Sequence, residues 1–195
     1  MTARKSSNGE SEKPIPDTEE ILTPDDPWRI EPAPKGLIDS PLDFIFAEHH
    51  RQRRAAMILM KIAYGEFNQN GVEELVEFLE TDFALHIGDE EVVLFPVLRE
   101  HCTVEDNIDA IIEKLVEEHR EDEASSDYVV SSLKMLLAGQ ALKGDARGRL
   151  MSFAEHIRQH LALENGVLLP IARVRLRTEE LRALAEMLKQ RRERG

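Results

Sequence analysis

A chain of 195 residues is long enough for one domain with a full core plus appendages. Apolar residues make up 42%, charged residues 32% and aromatics only 5%, so a soluble globular fold built from helices rather than strands is expected. The formal charge of −13 argues against a nucleic-acid or anionic-membrane partner, and the single cysteine, Cys102, excludes an intrachain disulfide and any CxxC pair.

The opening stretch MTARKSSNGESEKP has no apolar h-region, and no apolar run approaches the ~18 residues that span a bilayer, so a cytoplasmic, soluble protein is expected. Residues 1–36 hold Pro14, Pro16, Pro24, Pro27, Pro32 and Pro34 among many charges and show no helical periodicity. They read as an irregular proline-rich arm, with Ile21, Leu22 and Trp28 available to pin it to the body.

The body is expected over 37–176. Ser40 is placed to cap a first helix, with Pro41 at its first position and Asp43 in its first turn. Phe44, Ile45, Phe46, Ala56, Met57, Leu59 and Met60 carry that helix to Tyr64, and Gly65 is a stop. Asn70-Gly71 marks the next turn. Leu75, Leu79, Asp82, His86, Glu90 and Val93 then line one stripe of a second helix, which Pro96 should end or kink.

Thr103 with Asp106 resembles a capping box. Ile108, Ile112, Leu115, His119 and Val129 or Val130 run along a third helix to about Ala138, bounded by Gly139 and Gly144. Asp145 is placed to cap a fourth, whose stripe includes Phe153, His156, His160, Glu164 and Val167, and which Pro170 should break or bend. Over 177–195, Thr178 should cap an amphipathic helix bearing Leu181, Leu184, Ala185 and Leu188, packed outside the others and ending in a basic tail. Four long helices with short connections predict an all-α, antiparallel up-down-up-down four-helix bundle with an extra C-terminal helix.

The second and fourth helices repeat one another. HIGDEEVVLFP begins at His86 and HLALENGVLLP at His160, and one shift aligns His86 with His160, Glu90 with Glu164, Leu94 with Leu168 and Pro96 with Pro170. The first and third match more weakly, through EHHR around His49 and EEHR around His119. The chain reads as two tandem αα-hairpins, each with one lone-His helix and one HxxxE helix. Residues at i and i+4 share a helical face, so each His/Glu pair can point into the bundle axis. A glutamate on a stripe normally filled by Leu or Ile is poorly tolerated unless it meets a cation.

The candidate metal ligands are therefore His49, His86, Glu90, His119, His160 and Glu164. Imidazole plus carboxylate suits iron, manganese or zinc. If both glutamates bridge, each of two metals has two His nitrogens and two carboxylate oxygens, with positions left for a solvent bridge and a small ligand.

With EH at Glu48-His49, HxxxE followed by LFP from His86 to Pro96, EH at Glu118-His119 and HxxxE from His160 to Glu164, the sequence resembles the hemerythrin-like (HHE cation-binding) family over about 40 to 176. The resemblance implies a four-helix bundle around two iron ions joined by an oxo or hydroxo bridge. Oxygen-carrying hemerythrins have HxxxH on the third helix and an aspartate after the last His. Here His119 is followed by Glu123 at i+4 and the last helix uses Glu164, so the chain is closer to the four-His, two-Glu members, such as di-iron proteins linked to repair of damaged iron centres.

Other residues have competing readings. His49 and His50 are adjacent, and the stripe from Ile45 selects His49, leaving His50 as a surface or gate residue. Glu123 reads either as a seventh ligand or as a solvated residue, and His156 either as a further ligand or donor or as a pocket residue. His101 and Cys102 lack a third member and are not read as a catalytic pair. The expected function is binding of dioxygen, nitric oxide or peroxide in oxygen or redox-stress handling. Iron storage or delivery, repair of iron centres, a metal-dependent sensor or scaffold, and oxidase or peroxidase turnover are the alternatives. A protein partner is not specified by the sequence.

Overall fold

The computed structural model describes residues 26–34 and 36–194. Ile21 and Leu22, read as anchors of the arm, lie outside the described residues. Among the described residues every regular element is helical, and no helix is long and apolar enough to cross a membrane.

Four rods form the bundle. The first is α1 (Pro41–Ala63). The second runs through α2 (Gln69–Glu80), α3 (Asp82–Asp89), a π-helical segment Glu90–Leu94 and α4 (Phe95–His101). The third is α5 (Ile108–Leu137). The fourth joins α6 (Ala146–Leu163), a second π segment Glu164–Leu168 and α7 (Leu169–Arg175). A fifth helix, α8 (Thr178–Arg194), packs on α1 and on the first π segment. Each rod touches its chain neighbour, and α1 closes the ring on α6, as an up-down-up-down bundle requires.

Two glycines end the unbroken rods. Gly65 (φ 95) and Gly139 (φ 78) take the left-handed conformation. Gly65 N–H then bonds Ile62 O and Glu66 N–H bonds Lys61 O, a pair repeated by Gly139 and Gln140 on Leu136 and Met135. Both are Schellman ends, which satisfy the last carbonyls of α1 and α5.

Several local expectations change. Ser40 and Asp145 make no side-chain cap; Asp145 is instead held by Arg149 at 2.8 Å and Tyr128 at 3.3 Å. Thr178 is the first residue of α8 rather than the one before it, and the Glu180 carboxylate accepts the Arg177 N–H. Asn70-Gly71 is the first turn of α2, capped by Asn68. Gly71 is there because Trp28 lies against it, so close that a Cβ would meet Trp28 Cβ at 2.7 Å. Trp28 and buried Ile30 thus tie residues 28–30 to the bundle, with Ile30 N–H on Glu74. Phe46 and Met57, read as part of the apolar stripe of α1, face outward.

Pro96 and Pro170 do not end their rods. Each sits in the first turn of a fresh α segment, directly after a π segment. Across each π segment the hydrogen bond slips by one residue, so Phe95 N–H reaches Glu90 O and Leu169 N–H reaches Glu164 O. That expansion makes room for a ring that would clash in a regular helix.

The core falls into two apolar halves. One holds Ile58, Leu59, Leu75, Leu133, Leu150 and Phe153. The other holds Ile45, Leu94, Phe95, Leu98, Ile112 and Leu168, and is closed by Leu184 and Leu188 of α8. Leu59 is wholly buried, so Leu59→Ala should cost about 2–5 kcal/mol. Val174→Ala on the surface should stay within about 0.5 kcal/mol. Chemical denaturation of both variants checks the difference.

Candidate metal centre

Between the two apolar halves lies a polar layer. His49 comes from α1, His86 from α3, Glu90 from the first π segment, His119 from α5, His160 from α6 and Glu164 from the second π segment. All six are buried, at 0–4% exposure. They form two sets of four, His49/His86/Glu90/Glu164 and Glu90/His119/His160/Glu164, in each of which one ligand atom per residue lies within 4.8 Å of the others. Both glutamates belong to both sets. The HxxxE repeat thus brings its two His/Glu pairs together with His49 and His119, with Glu90 and Glu164 common to both sets.

The spacings suit a shared cation. Glu164 Oε2 lies 3.3 Å from His49 Nε2, while its Oε1 lies 3.1 Å from His160 Nε2. Glu90 Oε2 sits 3.4 Å from both His86 Nε2 and His119 Nε2. Two ligands at right angles, each about 2.1 Å from one ion, are about 3.0 Å apart. Yet His86 Nε2, Glu90 Oε2 and both Glu164 oxygens make no hydrogen bond. Buried polar atoms without partners are costly, and lone pairs aimed past one another call for an ion between them. His119 Nε2 and His160 Nε2 are 3.2 Å apart, a contact that two lone pairs tolerate only around a proton or a metal. The nitrogen and oxygen donor set fits iron, manganese or zinc.

Three of the four rings are fixed from behind. His49 Nδ1–H donates to Asn165 at 2.9 Å, His119 Nδ1–H to Glu91 at 2.8 Å and His160 Nδ1–H to Glu118 at 2.9 Å. In the neutral imidazole each bond leaves Nε2 as the inward lone pair. His86 Nδ1 has no such partner. Glu48, which occupies in EHHR the place that Glu118 has in EEHR, is engaged by Arg51 at 2.8 Å. Phe95 stacks on His119. Glu48 and Glu118 were read only as parts of the EH motifs, and Arg51, Glu91, Phe95 and Asn165 were not singled out from the sequence. The signal was present, since the repeat aligns Glu91 with Asn165 and each directly follows a glutamate of the centre.

The remaining candidates lie elsewhere. Glu123 is exposed, because the buried stripe of α5 steps from His119 to Asp122 and Ser126, three and four residues at a time. Asp122 is buried instead, with His156 Nδ1 2.8 Å away. His156 is half-buried beside a surface cavity with Tyr128 and Gln159, outside both sets of four. His50 is exposed, edge-on to Phe46.

Without metal the cluster holds protons. Burial works against charge on His160, but the Glu164 carboxylate and the hydrogen bond to Glu118 outweigh it and push the pKa up to about 11. His49 and His119 are raised as well, against their own burial, chiefly by Glu164 for the first and Glu90 for the second. Burial opposes ionisation of Glu90, yet His86, His119 and His49 hold it well below the usual carboxylate range. A metal must displace the proton of His160, so loading at pH 7 should release at least one proton per chain, and affinity should fall as the pH is lowered. Calorimetric titration with manganese(II) in buffers of different ionisation enthalpy measures that release.

The family model of the hemerythrin HHE cation binding domain matches residues 40–172. No curated protein matches the chain. The matched range takes in all six residues of the buried centre and both π segments. The chain belongs to the hemerythrin HHE cation-binding domain family.

Proposed function

We propose that this protein holds two iron ions between His49, His86, His119, His160 and the bridging Glu90 and Glu164, and binds dioxygen, nitric oxide or peroxide there in oxygen or redox-stress handling. The observation that carries the reading is the sharing of both glutamates by the two sets of four ligand atoms. A lone His/Glu pair at i,i+4 is ordinary on a helix surface. Two such pairs buried face to face, with two further imidazoles, are not.

The enclosure of the site argues for a small ligand. Its six residues are almost wholly buried, and Phe95 closes over one ring, so a bulky organic substrate has no room beside them. Iron when bound would supply reversible electron exchange with such a ligand. The chain supplies the rest: imidazoles set by Asn165, Glu91 and Glu118, and a dry surround that keeps bulk water away. A second reading, iron delivery, is favoured by His86, whose ring lacks a hydrogen bond to fix it.

Metal analysis with an absorption spectrum separates the readings. The protein purified in air should carry two irons per chain with near-ultraviolet absorption, and nitric oxide added to the reduced form should shift that spectrum reversibly. Glu90→Ala and Glu164→Ala should each lose most of the iron, since each removes a ligand from both positions, whereas His50→Ala should retain it. Rapid stripping by a chelator, with the fold intact and the spectrum indifferent to nitric oxide, would favour delivery. A stable wild-type protein that takes up no metal would overturn both.

A further inference from the structure

The two hairpins are not equivalent, and the difference lies beside the metal centre. In the second hairpin both imidazoles are held at Nδ1, His119 by Glu91 and His160 by Glu118. In the first, His49 is held but His86 is not. The shift that aligns His86 with His160 also places Gly88 against Ala162 and Asp89 against Leu163. A carboxylate therefore replaces leucine one residue before Glu90, and it is 1% exposed. It takes no part in the cluster of six.

Its partners come from α8. Arg191 Nε donates to Asp89 Oδ1 at 2.7 Å, and Arg192 Nη2 lies 2.6 Å from Oδ2. Arg192 also covers the Phe44 ring at 4.4 Å. Gly88 lies against the same guanidinium: a Cβ there would overlap Arg191 Nη2, so the arginine on Asp89 would have to shift. Leu184 and Leu188 seat α8 on the same half of the core as Val93 and Leu94 of the first π segment. A buried carboxylate is tolerated only while its cations stay in place. Two arginines and one glycine thus converge on the single turn that carries His86 and Glu90, in the hairpin whose histidine lacks its own anchor.

We propose that α8 is a clamp for the metal position formed by the first hairpin: Arg191 and Arg192, by holding Asp89, position the otherwise unanchored His86, which belongs to that position alone. They are positioning residues, since neither touches the cluster. The inference rests on the two-metal reading above. It requires the two metals to be held unequally, with the His49/His86 position depending on α8 and the His119/His160 position standing without it. Coupling is reciprocal, so metal loading also tightens α8.

The test uses the full chain loaded with manganese(II) and follows metal loss to a chelator beside hydrogen exchange of α8. Wild type should lose its two equivalents in separate phases, and α8 should exchange more slowly when loaded. Arg191→Ala with Arg192→Ala should speed the first phase about tenfold and leave the second unchanged. Gly88→Ala keeps every charge and improves local helix propensity, so it folds where the double variant fails, and it should speed the same phase. Unchanged release in a variant whose α8 exchanges freely would overturn the clamp, as would equal acceleration of both phases, the mark of general loosening. Failure of wild type to bind metal would instead remove the two-metal reading on which the clamp depends.

Discussion

Two carboxylates and four imidazoles share one layer in the middle of the bundle, with apolar core above and below. Charged groups so placed have lost their water, and the attraction between them offsets that loss only if positive charge sits among them. This constraint organises the surrounding fold. The hydrogen bonds that aim the imidazoles run between rods: Asn165 of the fourth rod to His49 of the first, Glu91 of the second to His119 of the third, Glu118 of the third to His160 of the fourth. Three seams of the bundle are thereby tied through the centre itself. The seam between the first and second rods lacks the corresponding bond, and there the C-terminal helix is tied in, through Asp89.

The π segments link sequence to chemistry. Each opens on a glutamate of the centre and leads into a proline. Slipping the hydrogen bond by one residue lets the rod absorb the proline, and it also lets neighbouring residues do separate jobs. Glu90 faces the centre while Glu91 reaches a histidine on the adjacent rod; Glu164 and Asn165 do the same in the other hairpin. A regular helix through the same residues would meet both the proline clash and a different side-chain register.

Much of this was legible in the residues. The stripe of α1 separates His49 from His50, and the repeated HxxxE gives four of the six residues of the buried centre by spacing alone, because a period of 3.6 residues is a local property of the backbone. What the sequence concealed depends on tertiary neighbours. Pro96 and Pro170 read as breaks or bends, since the i→i−5 slip leaves no mark in composition. Asn70-Gly71 read as a turn, although Gly71 serves to admit Trp28 from residues far away in sequence. Glu123 was weighed as a ligand and Asp122 was not, because the drift of a long helix decides which one faces inward. The C-terminal helix read as an outer appendage because Asp89, the residue that binds it, resembles any acidic surface position in an acidic chain.

Crystals grown with manganese, with anomalous diffraction recorded above the metal edge, test the central claim most directly. The account predicts two anomalous peaks inside the bundle, each bounded by two of the four histidines, with Glu90 and Glu164 reaching both. A single peak, peaks on the acidic surface alone, or none would contradict it and leave the buried histidines and glutamates to be explained by proton sharing.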